Sequence, residues 1–375
     1  MVEHIGVGVI GTGFMGKAHA TAYNAVGGAY PDLALRPRLV AVADVDAQAS
    51  ARAMAQYGFL RHTTDWRSLI ADPEIQVISI TTPNKLHREM AVAAAAAGKH
   101  IHCEKPLAPD ADDAKAMLDA ANAAGVATQV GFNYVKNPML ALARQMIAGG
   151  ELGEIVSFRG IHAEDYMADP EIPHNWRVDG SGGRGGAIAE IGSHIVCVAR
   201  FLLGDIAEVH ADLETVMKTR PAPDGSGQRL KVVVDDIARL VVRFERGCSG
   251  SIEANWLATG RKMQLGFDIH GTKGSLSFTQ ERLNELLFYT GASDARHAGY
   301  VRIEAGPQHA PYGHFCPAPG HQLGFNDLKT IEMADFLAAI AGGEVKGPDF
   351  SDAWRIQKVI DAAILSSAER RWVTT

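Results

Sequence analysis

The sequence predicts an α/β protein of two parts: a doubly wound parallel sheet, then an α+β domain with a large open, mainly antiparallel sheet. Three observations carry this. Short apolar β-forming runs alternate with helical stretches from residue 5 to about 131. A glycine-rich turn closes the first of these runs. Beyond residue 131 the pattern changes to strands with strict apolar–polar alternation joined by short turns.

In the first part the strands are read at Val7–Ile10, Leu39–Ala43, Val77–Ile80, His100–Cys103 and Ala127–Val130. The helices between them fall at about 15–25, 46–56, 85–97 and 110–124, with Gly98 and Gly125 at C-cap positions. Gly27–Arg38, rich in Gly, Pro and Ala, reads as an inserted loop. In the second part a helix at 138–148 ends at Gly149-Gly150. Strand Ile237–Phe244 turns Ala238, Leu240, Val242 and Phe244 to one side and Arg239 and Arg243 to the other. A turn at Arg246-Gly247 leads to a strand at 249–257, and Gly271–Gly274 joins strands 264–270 and 275–278. Further helices are read at 186–203, 325–341 and 352–369, and a loose loop at Thr219–Gly227. The domains divide at 1–131 and 132–375, with the last helix as the element that packs back on the first domain.

Composition narrows the class. The chain has 375 residues, enough for two cores, and is 47% hydrophobic and 21% charged. A net charge of −7 without a basic block argues against nucleic acid or an anionic membrane as partner. The N-terminus runs straight into the first strand, so no signal peptide is expected. Cys103, Cys197, Cys248 and Cys316 form no C-x-x-C pair and read as reduced thiols of a cytoplasmic protein. His194 and Cys197 lie one helical turn apart, but two ligands make a poor metal site, and no metal is expected.

The chemistry starts at the glycine turn. Gly11, Gly13 and Gly16 fit G-x-G-x-x-G, with Phe14 and Met15 inside it, between a strand and a helix. A pyrophosphate needs close backbone N–H groups and a helix N-terminus, and a side chain on the middle glycine would block it. The expected fold of this part is therefore a Rossmann domain. Asp44 ends the second strand, about 28 residues past Gly16 against a usual spacing of about 20. It either accepts from both ribose hydroxyls, favouring NAD over NADP, or caps the next helix. Thr82-Pro83-Asn84, with His87 three residues on, follows the third strand at the ligand-binding edge of such sheets. Asn84 lines the cofactor groove, caps the helix at 85–97, or does both. Glu104-Lys105-Pro106 follows the next strand at the same edge, which puts Lys105 near the nicotinamide. A lysine there can hydrogen-bond a hydroxyl and favour its alkoxide, or it is an ordinary solvated loop lysine. Glu190 and His194, four apart on the helix after Gly185-Gly186, read as a general base with a carboxylate partner, or as an ordinary surface pair.

Together these motifs resemble the glucose-fructose oxidoreductase / inositol dehydrogenase / rhizopine-catabolism (Gfo/Idh/MocA) oxidoreductase family across essentially the whole chain. Glu164–Pro170, Trp176-Arg177, Glu281–Leu286 and Phe315-Cys316-Pro317 with Gly324-Phe325-Asn326 are similar to its scyllo-inositol (L-glucose) and levoglucosan dehydrogenase branch. The resemblance implies an NAD-dependent dehydrogenase of a cyclic polyol or sugar. It also implies an open-sheet homo-oligomer, a dimer or tetramer. Thr82, Pro83, Asn84, His87 and Glu104 join the glycine turn, Asp44 and Lys105 as the implied cofactor side. Lys105 matches the lysine that binds the reacting hydroxyl, and His194 the proton acceptor. Glu190 stands where the family usually has aspartate, one methylene shorter. Tyr166, Asp165, Arg177 and His321 are implied on the substrate side. Two rival classes share the motifs: an NAD-binding sensor without turnover, and a glycosidase that borrows NAD for a redox-assisted cleavage.

Overall fold

The computed structural model describes residues 3–291 and 295–375. The chain forms two compact units, Met1–Lys136 with Gly324–Trp354, and Asn137–Leu323 with Arg355–Thr375. Residues 324–354, placed with the second domain by the sequence reading, thus belong to the first unit.

In the first unit six strands form one parallel sheet: β1 (Glu3–Ile10), β2 (Leu35–Ala43), β3 (Arg61–Thr63), β4 (Val77–Ile80), β5 (His100–Cys103) and β6 (Thr128–Val130). Their spatial order is β3-β2-β1-β4-β5-β6, and every pairing is parallel. The order reverses between β1 and β4, the point where doubly wound sheets hold ligands. Helices α1 (Phe14–Ala29), α2 (Ala47–Tyr57), α3 (Trp66–Ala71), α4 (His87–Ala96) and α5 (Ala111–Ala124) connect the strands. The expected insertion at Gly27–Arg38 is mostly regular structure: α1 runs on to Ala29 and β2 already starts at Leu35. The helix expected at 85–97 opens with a 3-10 turn, Asn84–Leu86, before α4.

The second unit has α6 (Pro138–Ala148), β7 (Ile155–Ala163), a π-helical turn at Ile188–Gly192 and α7 (Ser193–Leu203). Strands β8 (Ile206–Glu214), β9 (Thr219–Pro221), β10 (Arg229–Lys231), β11 (Ile237–Phe244) and β12 (Ser249–Asn255) follow. Then come β13 (Gln264–Gly271), β14 (Gly274–Thr279), β15 (Glu285–Thr290) and β16 (Val301–Glu304). Helices α8 (Phe325–Ile340) and α9 (Phe350–Glu369) and strand β17 (Val373–Thr374) end the chain. The main sheet runs β16-β15-β14-β13-β7-β12-β11-β8-β17 and is antiparallel except at β12–β7. Burial alternates along β11 as its sequence predicts, with Arg239, Val241 and Arg243 exposed. The loop expected at Thr219–Gly227 instead starts a small hairpin, because β9 pairs with β10 around the Pro-Gly-rich tip.

The helix that joins the first unit from the far end of the chain is α8. Its Met333, Phe336 and Leu337 share one buried cluster with Tyr23 and Val26 of α1 and with Val7 and Val9 of β1. Burial of each such side chain contributes about 1.5–3 kcal/mol, which explains why this segment folds with the parallel sheet.

Candidate active site

The nucleotide cradle follows from the glycines. Gly11 has φ of 100°, and a Cβ there would lie 2.9 Å from the Thr81 carbonyl oxygen. A Cβ on Gly16 would lie 2.2 Å from the Gly11 carbonyl oxygen, so the turn can pack this tightly only with glycine at both places. Gly13 is different: a Cβ there would meet nothing within 4 Å. It faces open space at the start of α1, which has no side-chain cap and no acid in its first turn. The N–H groups of this terminus are free of an internal acceptor side chain, which fits an anionic pyrophosphate. Phe14 is exposed and stacks at 5.8 Å on Phe325, while Met15 is half-buried.

Asp44 ends β2 beside this cradle. One carboxylate oxygen accepts from the Thr12 N–H (2.8 Å) and hydroxyl (2.6 Å), the other from the Asp46 N–H (3.1 Å). The cap of α2 is Asp46, which accepts from Gln48 and Ala49 N–H. Asp44 is therefore tied to the glycine turn and leaves the capping to its neighbour.

At the carboxyl ends of β4 and β5 the Thr82 and Lys105 loops run out. Pro83 is the cap of the 3-10 turn, and buried Asn84 opens that turn. His87 is buried, with Nε2 2.8 Å from the Thr82 carbonyl and Nδ1 3.1 Å from the Leu107 carbonyl. Lys105 is half-buried. Glu104 turns inward: one carboxylate oxygen takes His19 Nε2 (2.8 Å) and Lys329 Nζ (3.0 Å), the other the Lys105 N–H (3.1 Å). Gly131 makes room, since a Cβ there would lie 2.4 Å from that carboxylate. Burial works to raise the Glu104 pKa, but the Lys329 ammonium and then His19 hold it well below the usual range. Lys329 also bonds Glu332 at 2.8 Å, and the two carboxylates keep its ammonium charged against burial. His19, His102 and Glu332 cluster closely enough for a metal, but the Lys329 ammonium already serves as the cation there.

The second unit places Glu190 and His194 around the π turn. Gly186 starts this segment against the chain, where a Cβ would lie 2.1 Å from the Asp235 carbonyl oxygen. The Asp235 carboxylate accepts from the Gly186 (2.6 Å) and Ile188 (2.9 Å) N–H groups. Burial pushes its pKa up to about 6 against those bonds. Glu190 lies in the π turn and His194 in α7, so the regular one-turn spacing expected for an α-helix does not apply. Both are buried, and a Glu190 oxygen lies 3.4 Å from Arg177 Nε. The His194 ring packs 5.6 Å from that of His162, which bonds the Ile191 carbonyl (2.7 Å) and Glu164 (2.8 Å). Tyr166 stands edge-on to Trp256, and the Arg177 guanidinium lies over Trp176. Asp165 is engaged by Lys262 (2.7 Å) and the Gly260 N–H (3.0 Å). His321 is exposed, and its carbonyl accepts from the Cys316 thiol.

Sequence reasoning missed His19, Lys329, Glu332, Asp235, His162 and Glu164. Lys329 and Glu332 are two charges three apart in a helix that also holds Asp327 and Asp335, so the sequence does not set them apart.

A parallel sheet with a glycine cradle and an acid at the end of β2 defines a dinucleotide-binding protein. Residues 5–132 match the family described as "Oxidoreductase family, NAD-binding Rossmann fold", and residues 140–277 match the "GFO/IDH/MocA C-terminal domain". The chain belongs to the GFO/IDH/MocA oxidoreductase family. It is 40% identical to levoglucosan dehydrogenase of Pseudarthrobacter phenanthrenivorans, covering 99% of this chain and 98% of that one. It is 27% identical to inositol 2-dehydrogenase of Rhizobium meliloti, covering 98% of each. Among solved structures, levoglucosan dehydrogenase in complex with NADH and levoglucosan superposes with a TM-score of 0.94, at 40% identity over 99% of both chains. Its complex with NADH and L-sorbose gives 0.95, also at 40% identity over 99% of both. The protein is thus an oxidoreductase whose first unit is an NAD-binding Rossmann domain. Among the described residues no helix is long and apolar enough to cross a membrane.

Proposed function

We propose that the protein oxidises one secondary hydroxyl of a cyclic polyol or sugar to a ketone, reversibly, with NAD. The substrate is of the inositol, L-glucose or anhydrosugar type. The observation that carries this reading is the Lys105 loop at the carboxyl end of β5, on the same sheet edge as the glycine turn. The levoglucosan and L-sorbose complexes of a relative 40% identical support the substrate class.

NAD, when bound by the glycine turn, Asp44 and the Thr82–Asn84 loop, supplies the carbon that accepts the hydride. The Lys105 ammonium hydrogen-bonds the reacting hydroxyl and favours its alkoxide. His194 takes the hydroxyl proton. Glu190, held toward Arg177, binds the substrate and orients His194, and Tyr166, Asp165 and His321 complete the substrate side. We place the protein in the cytoplasm as a homo-oligomer, dimer or tetramer. The exposed Arg239, Val241 and Arg243 face of β11 supports pairing through the open sheet.

The test follows NADH absorbance with NAD and a panel of scyllo- and myo-inositol, D- and L-glucose, levoglucosan and glycosides. Turnover should appear on one or two members and fall about 100-fold or more in Lys105→Met, with NADH binding retained. A variant of near-full activity refutes the assigned role of Lys105. NADH binding with no turnover on any member favours a sensor, and aglycone release without net NADH favours the glycosidase.

A further inference from the structure

His87 is 1% exposed, and both its ring nitrogens face main-chain carbonyls, of Thr82 at 2.8 Å and Leu107 at 3.1 Å. Both carbonyls can only accept, and burial favours the neutral ring, which carries one N–H, so the ring donates to one carbonyl at a time, while the chain from Thr82 to His87 supplies the other end of the span. The two main partners lie on different loops. Thr82 follows β4, and Leu107 comes two residues after Lys105. The ladder between β4 and β5 ends with the Glu104 N–H on the Ile80 carbonyl at 2.9 Å. Beyond that bond His87 spans the Thr82 and Lys105 loops.

We propose that His87 is a positioning residue: a cross-tie that fixes Lys105 relative to the Thr82–Asn84 loop. This rests on the role of Lys105 proposed above and departs from the cofactor contact implied by the family resemblance. A lysine that must meet a hydroxyl in line for hydride loss is sensitive to small shifts. A displacement of about 1 Å can cost about 100-fold in rate. A cross-tie at the loop bases restrains Lys105 without touching substrate.

The two carbonyl contacts can be kept one at a time. Glutamine carries its amide nitrogen as many bonds from Cα as Nε2, so His87→Gln keeps the Thr82 side and frees Leu107. Asparagine carries its own at the Nδ1 position, so His87→Asn keeps the Leu107 side and frees Thr82. His87→Gln should lower kcat about tenfold or more with a small change in NADH affinity. His87→Asn should weaken NADH binding more than His87→Gln does and lower kcat less. His87→Ala should lose both, and thermal midpoints of all three report the fold. Loss of kcat and NADH affinity in equal proportion in both amide variants, tracking only the thermal midpoint, overturns the proposal. So does an unchanged His87→Ala. A wild type silent on every polyol refutes the proposed function instead, and the contrast in NADH affinity between the two amide variants still decides the cross-tie.

Discussion

The Lys329 ammonium lies 3.0 Å from a carboxylate oxygen of Glu104, 225 residues away in sequence, and both side chains are buried. The other oxygen of Glu104 receives the Lys105 N–H. One carboxylate therefore connects a charge on α8 to the main chain of the proposed catalytic lysine.

Removing that charge should be costly. Lys329→Met leaves Glu104 and Glu332 as buried carboxylates without their ammonium, and breaking such a pair costs about 3–5 kcal/mol. Adding Glu104→Gln removes one of the stranded charges, so the double variant should recover part of the loss. Chemical denaturation of the wild type, Lys329→Met, Glu104→Gln and the double variant checks this. Strictly additive losses would mean that the two side chains are not coupled.

Asp235 provides the pH test. Its carboxyl is pushed up to about 6 in the folded protein, first by burial. In the unfolded chain it titrates near its ordinary value of about 3.9. Between these values the folded state holds a proton that the unfolded state has lost, so stability falls as pH rises through this window. The group should cost about 2 kcal/mol from pH 4 to pH 6, out of about 3 kcal/mol over its whole titration. Asparagine has no such titration. The stability of wild type minus that of Asp235→Asn should therefore drop by about this amount between pH 4 and 6. A flat difference would show that the Gly186 and Ile188 N–H groups hold the carboxylate ionised throughout.

Asp44→Ala should weaken the preference for NAD over NADP. The carboxylate that repels a 2′-phosphate is gone, and so is the acceptor for the Thr12 N–H and hydroxyl. Loss of a charged hydrogen-bond acceptor costs about 1.5–3 kcal/mol, so kcat/KM for NAD should fall about 10- to 100-fold. The value for NADP should fall less or rise. Unchanged selectivity would assign Asp44 to the glycine turn alone.

The parallel sheet was legible because its signals are local. Val77–Ile80 and His100–Cys103 stand in the structure as the apolar runs mark them. The glycine turn could be read as well, since its strand, its G-x-G-x-x-G spacing and its helix lie within a few residues of one another. The edges of elements were less legible. Gly27 and Gly28 suggested a break, yet α1 continues through them, because Tyr23 and Val26 are packed in the core and carry the helix onward.

The sequence by itself determined the fold of each part, the glycine cradle with Asp44 at the end of β2, and the placement of the Thr82 and Lys105 loops on one sheet edge. The strands, the helices and the glycine turn follow from periodicity and from glycine at fixed offsets, which are properties of neighbouring residues. Tertiary structure alone decided which buried groups share charge and protons. Lys329 meets Glu104, His87 bridges two loops, and Asp235 holds the start of the π turn, because packing brings together groups that no spacing in the chain relates. A buried charge or imidazole is stable only beside a partner, and that partner becomes visible only once the chain is folded.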